Sequence, residues 1–283
     1  MEESSARRAW FVVSAPALFM LFFFALPNAL LLSISFLKSE AQHLTDEVTL
    51  ENYTFLFTEP VYLKALVRTF VMGTAVGLLD VVLGFPIAYF LVRTRSRWKG
   101  FLIALSLAPL LASVVVRTYG WYVILNRSGV LNDVLLGLGL MQERYAFMPS
   151  TGAIIIGLAH ALLPYTILTL MASLGGVNPS LELAAMSLGA NRRRTFFRVV
   201  LPLAMPGLIG GFILAFSIAI SAYATPAILG GPAILVMATA IYGFMTTLLD
   251  WSTGAALAVI LVVCSLLLFY AAARFGGAKT AAI

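Results

Sequence analysis

Few residues in this 283-residue sequence have the type and spacing to do chemistry, and those few suit recognition rather than bond breaking. The lysines are Lys38, Lys64, Lys99 and Lys279, and none follows a G-x-x-x-x-G spacing. The stretch GGAKT at 276–280 lacks the first glycine, so no loop here can cradle the phosphates of a nucleotide. His43, His160 and the single Cys264 share no metal-ligand spacing, and no nucleophile stands beside a base. The sequence offers no catalytic residue and no metal site. His43 reads as a solvated loop residue, His160 as a side chain packed among helices, and Cys264 as part of an apolar helix surface.

What remains are polar groups in apolar surroundings. Asp80, in GLLDVVLGFP, is an ionisable group whose burial in lipid costs several kcal/mol, so a function is the default reading. It suits a cationic solute; the alternative is a salt bridge or hydrogen bond to a neighbouring helix. Arg117, Tyr119 and Trp121 cluster near the end of another apolar run, as interfacial anchors or as a gate whose ring faces attract ammonium groups. Tyr223 and Thr225 precede Pro226 and the break Gly230–Gly231–Pro232. Unwound backbone at membrane depth is tolerated where it lines protein or a water-filled cavity.

The elements that must position these groups are membrane helices. Of all residues 61% are hydrophobic and 11% charged, against about a quarter charged in a soluble domain. Six apolar runs are long enough to span: Trp10–Phe36, Leu66–Val92, Phe101–Ile124, Thr151–Leu174, Gly207–Leu229 and Ala255–Ala273. An all-α, polytopic membrane protein of six transmembrane helices follows, one domain over 1–283. Ala233–Leu249 is shorter and reads as a half-inserted or surface helix. With a cytoplasmic N-terminus, the inner side receives Arg7, Arg8, Arg93, Arg95, Arg97, Lys99, Arg192, Arg193, Arg194, Arg198, Arg274 and Lys279. Most acids fall outside, so both termini are expected in the cytoplasm. The net charge of +6 is thereby spent on topology and does not call for a nucleic-acid partner.

One cytoplasmic loop, about 175–204, departs from the rest. Leu181–Pro202 reads as two short helices. Asn178 caps and Pro179 opens the first, Leu181, Ala184, Ala185 and Leu188 form one apolar face, and Gly189 ends it. Glu182 near the start favours the helix dipole. The result is a knob that could dock into a partner's groove, or lie on lipid phosphates through its arginines.

Glu182, Ala184, Ala185, Gly189, Leu201 and Pro202 resemble the cytoplasmic signature of permease subunits of binding-protein-dependent ABC importers, with Leu183 inserted after the glutamate. Val116–Asn132, Gly84–Arg93 and Ser221–Pro232 are similar to spermidine/putrescine-type permeases. The resemblance implies a type I ABC importer permease fold and a bacterial inner-membrane location. It implies a related second permease, as a heterodimer, and an ATPase dimer that binds ATP and Mg and receives the loop. A periplasmic binding protein delivering a polyamine, or a phosphonate, opine or other small solute, completes the assembly. On that reading Asp80, Arg117, Tyr119, Trp121, Tyr223 and Thr225 line the solute route. An ion-coupled secondary transporter would show paired intramembrane carboxylates or inverted repeats, and only one such carboxylate is evident.

Overall fold

The computed structural model describes residue 14, residues 16–40 and residues 43–277, the last seven by backbone alone. Trp10–Val13 and Ala15 of the first expected span, with Arg7, Arg8 and Lys279, lie outside the described residues. In chain order the elements are α1 (Pro16–Ile34), β1 (Leu37–Glu40), β2 (His43–Val48), α2 (Glu51–Thr58), α3 (Pro60–Arg93) and α4 (Lys99–Leu111). They continue with α5 (Val114–Leu125), α6 (Val130–Gly137), α7 (Thr151–Gly175), α8 (Ser180–Ser187) and α9 (Arg192–Leu203). The last are α10 (Met205–Ser221), α11 (Ala224–Leu229), α12 (Met237–Leu248) and α13 (Trp251–Gly277). Two compact units divide the chain: the described parts of Met1–Leu66 with Thr239–Ile283, and Val67–Ala238.

In the first unit no described residue of α1 is fully buried, and Phe19, Phe22, Phe23 and Phe24 stand open. A helix apolar all round is a lipid-facing span. Asn52 ties its exit down, donating from Nδ2 to the carbonyls of Ser35 (2.9 Å) and Leu37 (2.8 Å). β1 and β2 form an antiparallel hairpin, a departure from an all-helical chain. Its polar sequence KSEAQHLTDEV holds no apolar face for a helix to bury. Phe244 of α12 wedges edge-on against Phe55 (5.7 Å between centroids), and Gly254 lets α13 approach Met245 and Phe244. At 1.5 Å per residue α12 is about 18 Å long, too short to cross about 30 Å of hydrocarbon. It answers to the short helix expected at Ala233–Leu249.

In the second unit two apolar cores lie along α3. Met72 and Val76 join Ile154, Leu158, Ala215, Ala219 and Leu229 in one; Phe85, Ala88 and Leu91 join Ile167, Leu170, Leu174, Val200 and Ala204 in the other. Gly77 admits Phe212 of α10, and Gly84 admits Leu163 and Thr166 of α7, so two helices close on one stretch of α3.

Among the described residues four helices are long and apolar enough to cross a membrane. Two bent pairs, α4 with Val114–Gly137 (94°) and α9 with α10 (62°), bring the number to six if each counts as one span. The expected continuous span Phe101–Ile124 is therefore corrected: it breaks at Ala112 and Ser113, whose ψ values of 138° and 139° are extended. The break frees the Pro109 carbonyl from its helical partner, and the Arg117 guanidinium donates to it instead. The expected run Gly207–Leu229 is likewise interrupted, at Ala222–Tyr223. Pro226 lies in the first turn of α11, where a missing N–H leaves nothing unsatisfied.

Candidate functional site

α8 forms because Asn178 and Pro179 organise its start: the Asn178 Oδ1 accepts from the Ser180 N–H at 3.0 Å, and the first turn closes on the Asn178 and Pro179 carbonyls. It stops at Gly189. The Gly189 N–H donates to the Met186 carbonyl (3.0 Å) and the Ala190 N–H to the Ala185 carbonyl (3.1 Å), with Gly189 at φ +89°. These are the two reverse bonds of a Schellman stop, which needs a residue at ease with positive φ. Asn191 then caps α9, its Oδ1 accepting from the Arg194 N–H at 2.8 Å. The sequence carries a signal for that cap, an asparagine immediately before the first residue of a helix.

The two faces of α8 differ sharply. Leu181, Leu183, Ala184 and Leu188 are exposed, Leu188 to 89%, while Glu182 and Ala185 are partly covered. An apolar, exposed, geometrically fixed edge is what docking into a protein groove requires. Glu182 faces the other way, toward Tyr89 and Arg93 of α3. Neither residue's role is legible in the sequence, where Arg93 reads only as a topological charge. Leu201 and Pro202 lie in the last turn of α9, where the chain bends into α10.

The six route candidates do not converge on one site. Asp80 is fully buried, and neither carboxylate oxygen has a hydrogen-bond partner among the described residues. It lies on the stretch of α3 between Gly77 and Gly84, so it has neither the opening that solute contact needs nor the intrachain partner that a structural role suggests. Thr225 is buried and pairs with Thr118 across α11 and α5, Oγ1 to Oγ1 at 3.1 Å. Tyr223, at the break before α11, is 39% exposed. Tyr119 points outward, its ring 6.1 Å from Tyr122, while Trp121 turns inward and donates from Nε1 to Nδ1 of His160 at 3.2 Å. His160 is thus exposed and hydrogen-bonded rather than packed among helices. Arg117, Trp121 and His160 line a cavity of about 570 Å³ with Leu105, Pro109 and Val116. The guanidinium of Arg117, the imidazole of His160 and the indole of Trp121 are the polar groups of its lining.

Asp80→Asn is expected to leave thermal stability unchanged or raised, because a buried carboxylate without a partner stabilises nothing in this chain. A melting curve of the purified protein checks this. A fall of more than about 3 °C, roughly 1 kcal/mol for a chain of this size, would mean that the carboxylate is held by a group of another chain.

Long apolar helices, an exposed apolar knob on a loop between two of them and a cavity opening at a broken span define a polytopic integral-membrane protein. The profile of the binding-protein-dependent transport system inner membrane component matches residues 80–277, and the chain belongs to that family. It is 32% identical over 259 residues to the spermidine/putrescine transport system permease protein PotB of Escherichia coli (strain K12), covering 90% of this chain and 94% of that one. The PotB of Haemophilus influenzae is 31% identical over 252 residues, with 89% and 88% covered. The inner membrane ABC transporter permease protein YdcU of Escherichia coli (strain K12) is 36% identical over 200 residues, 66% of this chain and 64% of that one. In fold the chain is similar to a bacterial ABC transporter that imports the polysaccharide alginate, at TM-score 0.79 and 18% identity over 98% of each chain. It is also similar to the MetNI methionine ABC transporter in an inward-facing conformation, at TM-score 0.60 and 17% identity over 81% of this chain and 99% of that one.

Proposed function

We propose that this chain is one permease subunit of an ATP-driven importer that takes a polyamine, spermidine or putrescine, from a periplasmic binding protein and releases it in the cytoplasm. A related second permease supplies the other half of the pathway, and a pair of ATPase subunits binds ATP and Mg. ATP binding closes the ATPase pair, which moves α8 and turns the pathway outward; hydrolysis resets it. The observation that carries this reading is the exposed edge Leu181–Leu188, ended by the Gly189 stop and left uncovered among the described residues. The likeness to PotB over nine-tenths of the chain supports the polyamine, and the excess of arginine on the expected inner loops supports cytoplasmic termini.

A second solute class has one observation in its favour. The cavity at the broken span holds Arg117 and no carboxylate among its lining residues, which favours an anionic or zwitterionic solute such as an opine.

The test is ATP hydrolysis by the purified assembly in lipid vesicles, with binding protein saturated by spermidine, putrescine or an opine. Stimulation by the polyamine forms carries the proposal, and stimulation by the opine form alone transfers it to the second class. An assembly that retains no ATPase subunit would sink the coupling role of α8.

A further inference from the structure

The acidic residue of the loop is already engaged within its own chain. Glu182 stands in the first turn of α8, yet its side chain is only 15% exposed, and that of its partner Arg93 is 19% exposed. Both carboxylate oxygens are used: Oε1 accepts from Arg93 Nε at 2.9 Å and Nη2 at 2.7 Å, and Oε2 accepts from the Tyr89 hydroxyl at 2.7 Å. Arg93 Nη2 also donates to the Val177 carbonyl at 3.0 Å, fixing the exit of α7 to the same point.

Tyr89 and Arg93 belong to a stripe. Phe85, Tyr89 and Arg93 recur every fourth residue of α3 and so line one side of it. The upper two hold the second half of the loop: Phe196 of α9 stands edge-on to Phe85 (5.6 Å) and to Tyr89 (6.1 Å). The lower two hold the first half through Glu182. Between the grips lies a cavity of about 440 Å³, lined by Tyr89, Glu182, Met186, Arg192, Thr195 and Phe196. Apolar packing therefore does not press α8 onto α3 there; the polar contacts of Glu182 cross the gap.

We infer that Glu182 is a positioning residue that latches the docking helix α8 to the end of α3, so that a push on α8 is delivered to the helix carrying Asp80. The inference rests on the transporter reading above and assigns Glu182 a partner inside the permease rather than on the ATPase. A charge pair this covered cannot lose one member without leaving the other short of both water and counter-charge.

Hydrogen exchange of the whole assembly in lipid, with and without ATP and vanadate, reads the latch without any solute. In the wild type, nucleotide is expected to change protection in residues 180–189 and 85–95 together. In Glu182→Gln and in Arg93→Gln the response stays in 180–189 and leaves α3, and solute moved per ATP falls about tenfold, within the usual span of coupling energies. The double exchange Glu182→Arg with Arg93→Glu restores both readouts. An α3 response that persists in both single variants overturns the latch, as does a double exchange no better than the singles. Loss of the ATPase subunit from Glu182→Gln but not from Arg93→Gln overturns it too, since a carboxylate facing the ATPase would behave that way. If Glu182→Gln does not fold, the double exchange decides alone. A wild type in which neither segment answers ATP fails the transporter reading itself, an outcome distinct from all of these.

Discussion

Gly189→Val is expected to reduce ATP-driven uptake by roughly 10- to 100-fold while the protein stays folded. Among the described residues no atom beyond the two chain neighbours lies within 4 Å of the place a Cβ would occupy, so the obstacle is conformational and not spatial. At φ +89° an L-residue is strained, and the left-handed region costs roughly 1–2 kcal/mol, more for a β-branched side chain. The chain relieves the strain by leaving that region, which releases the Ala185 and Met186 carbonyls from the reverse bonds that stop α8. Leu188, the most exposed residue of the docking edge, then loses its fixed place. Each 1.4 kcal/mol of lost docking is a factor of ten. Uptake into vesicles, normalised to the amount of assembled ATPase, measures the effect. Asn tolerates positive φ better than Val, so Gly189→Asn should fall between wild type and Gly189→Val. Equal uptake by all three would remove the need for a left-handed stop.

Gly207→Val should act on the fold instead. Gly207 and Gly211 are buried on the face of α10 that meets α7, and a Cβ on Gly207 would overlap the Cβ and Oγ of Ser173. One turn on, a Cβ at Gly211 would stand 3.1 Å from Thr166 Cγ2. Small residues let two membrane helices approach this closely, and much of what holds them is that contact. Forcing a branched side chain into it costs about 3 kcal/mol by overpacking, or about 10 °C in melting temperature for a chain of this size. Gly210→Ala is the comparison, because its nearest neighbour, Thr169 Cγ2, is 3.4 Å from the added Cβ. A thermal melt in which Gly210→Ala costs as much as Gly207→Val would show that close approach is not the cause.

Much of this fold is legible in the sequence because lipid allows so few solutions. Long apolar runs must be helices, and Thr151–Gly175 starts and ends within a residue of where its apolar run does. Gly189 could be read as a stop because few other residues suit that conformation. The break at Ala112–Ser113 could not be read. Neither residue is a helix breaker, and Pro109 lies inside α4 rather than at its end, so the bend depends on tertiary contacts such as the Arg117 grip on the Pro109 carbonyl. Arg93 was hidden for a different reason. An arginine at the inner end of a span looks the same whether it sets topology or holds a carboxylate, and only the fold brings Glu182, 89 positions away, to its side. The Phe85–Tyr89–Arg93 stripe was present in GFPIAYFLVR, but spacing alone does not say what a stripe faces. Asp80 is buried away from the cavity that Arg117 and Trp121 line, an outcome of tertiary packing that composition does not encode.

The length of α3 has a consequence for the setting in which the protein works. Its 34 residues make a rod of about 51 Å, against a hydrocarbon layer of about 30 Å. Roughly two-fifths of the rod must emerge or tilt, and its last turns, with Tyr89 and Arg93, are the part that grips the loop. When acyl chains shorten or lengthen, a span of matched length has to thin or thicken the lipid around it. A span longer than the layer takes up such a change by tilting, and the grip, made wholly of protein, tilts with it.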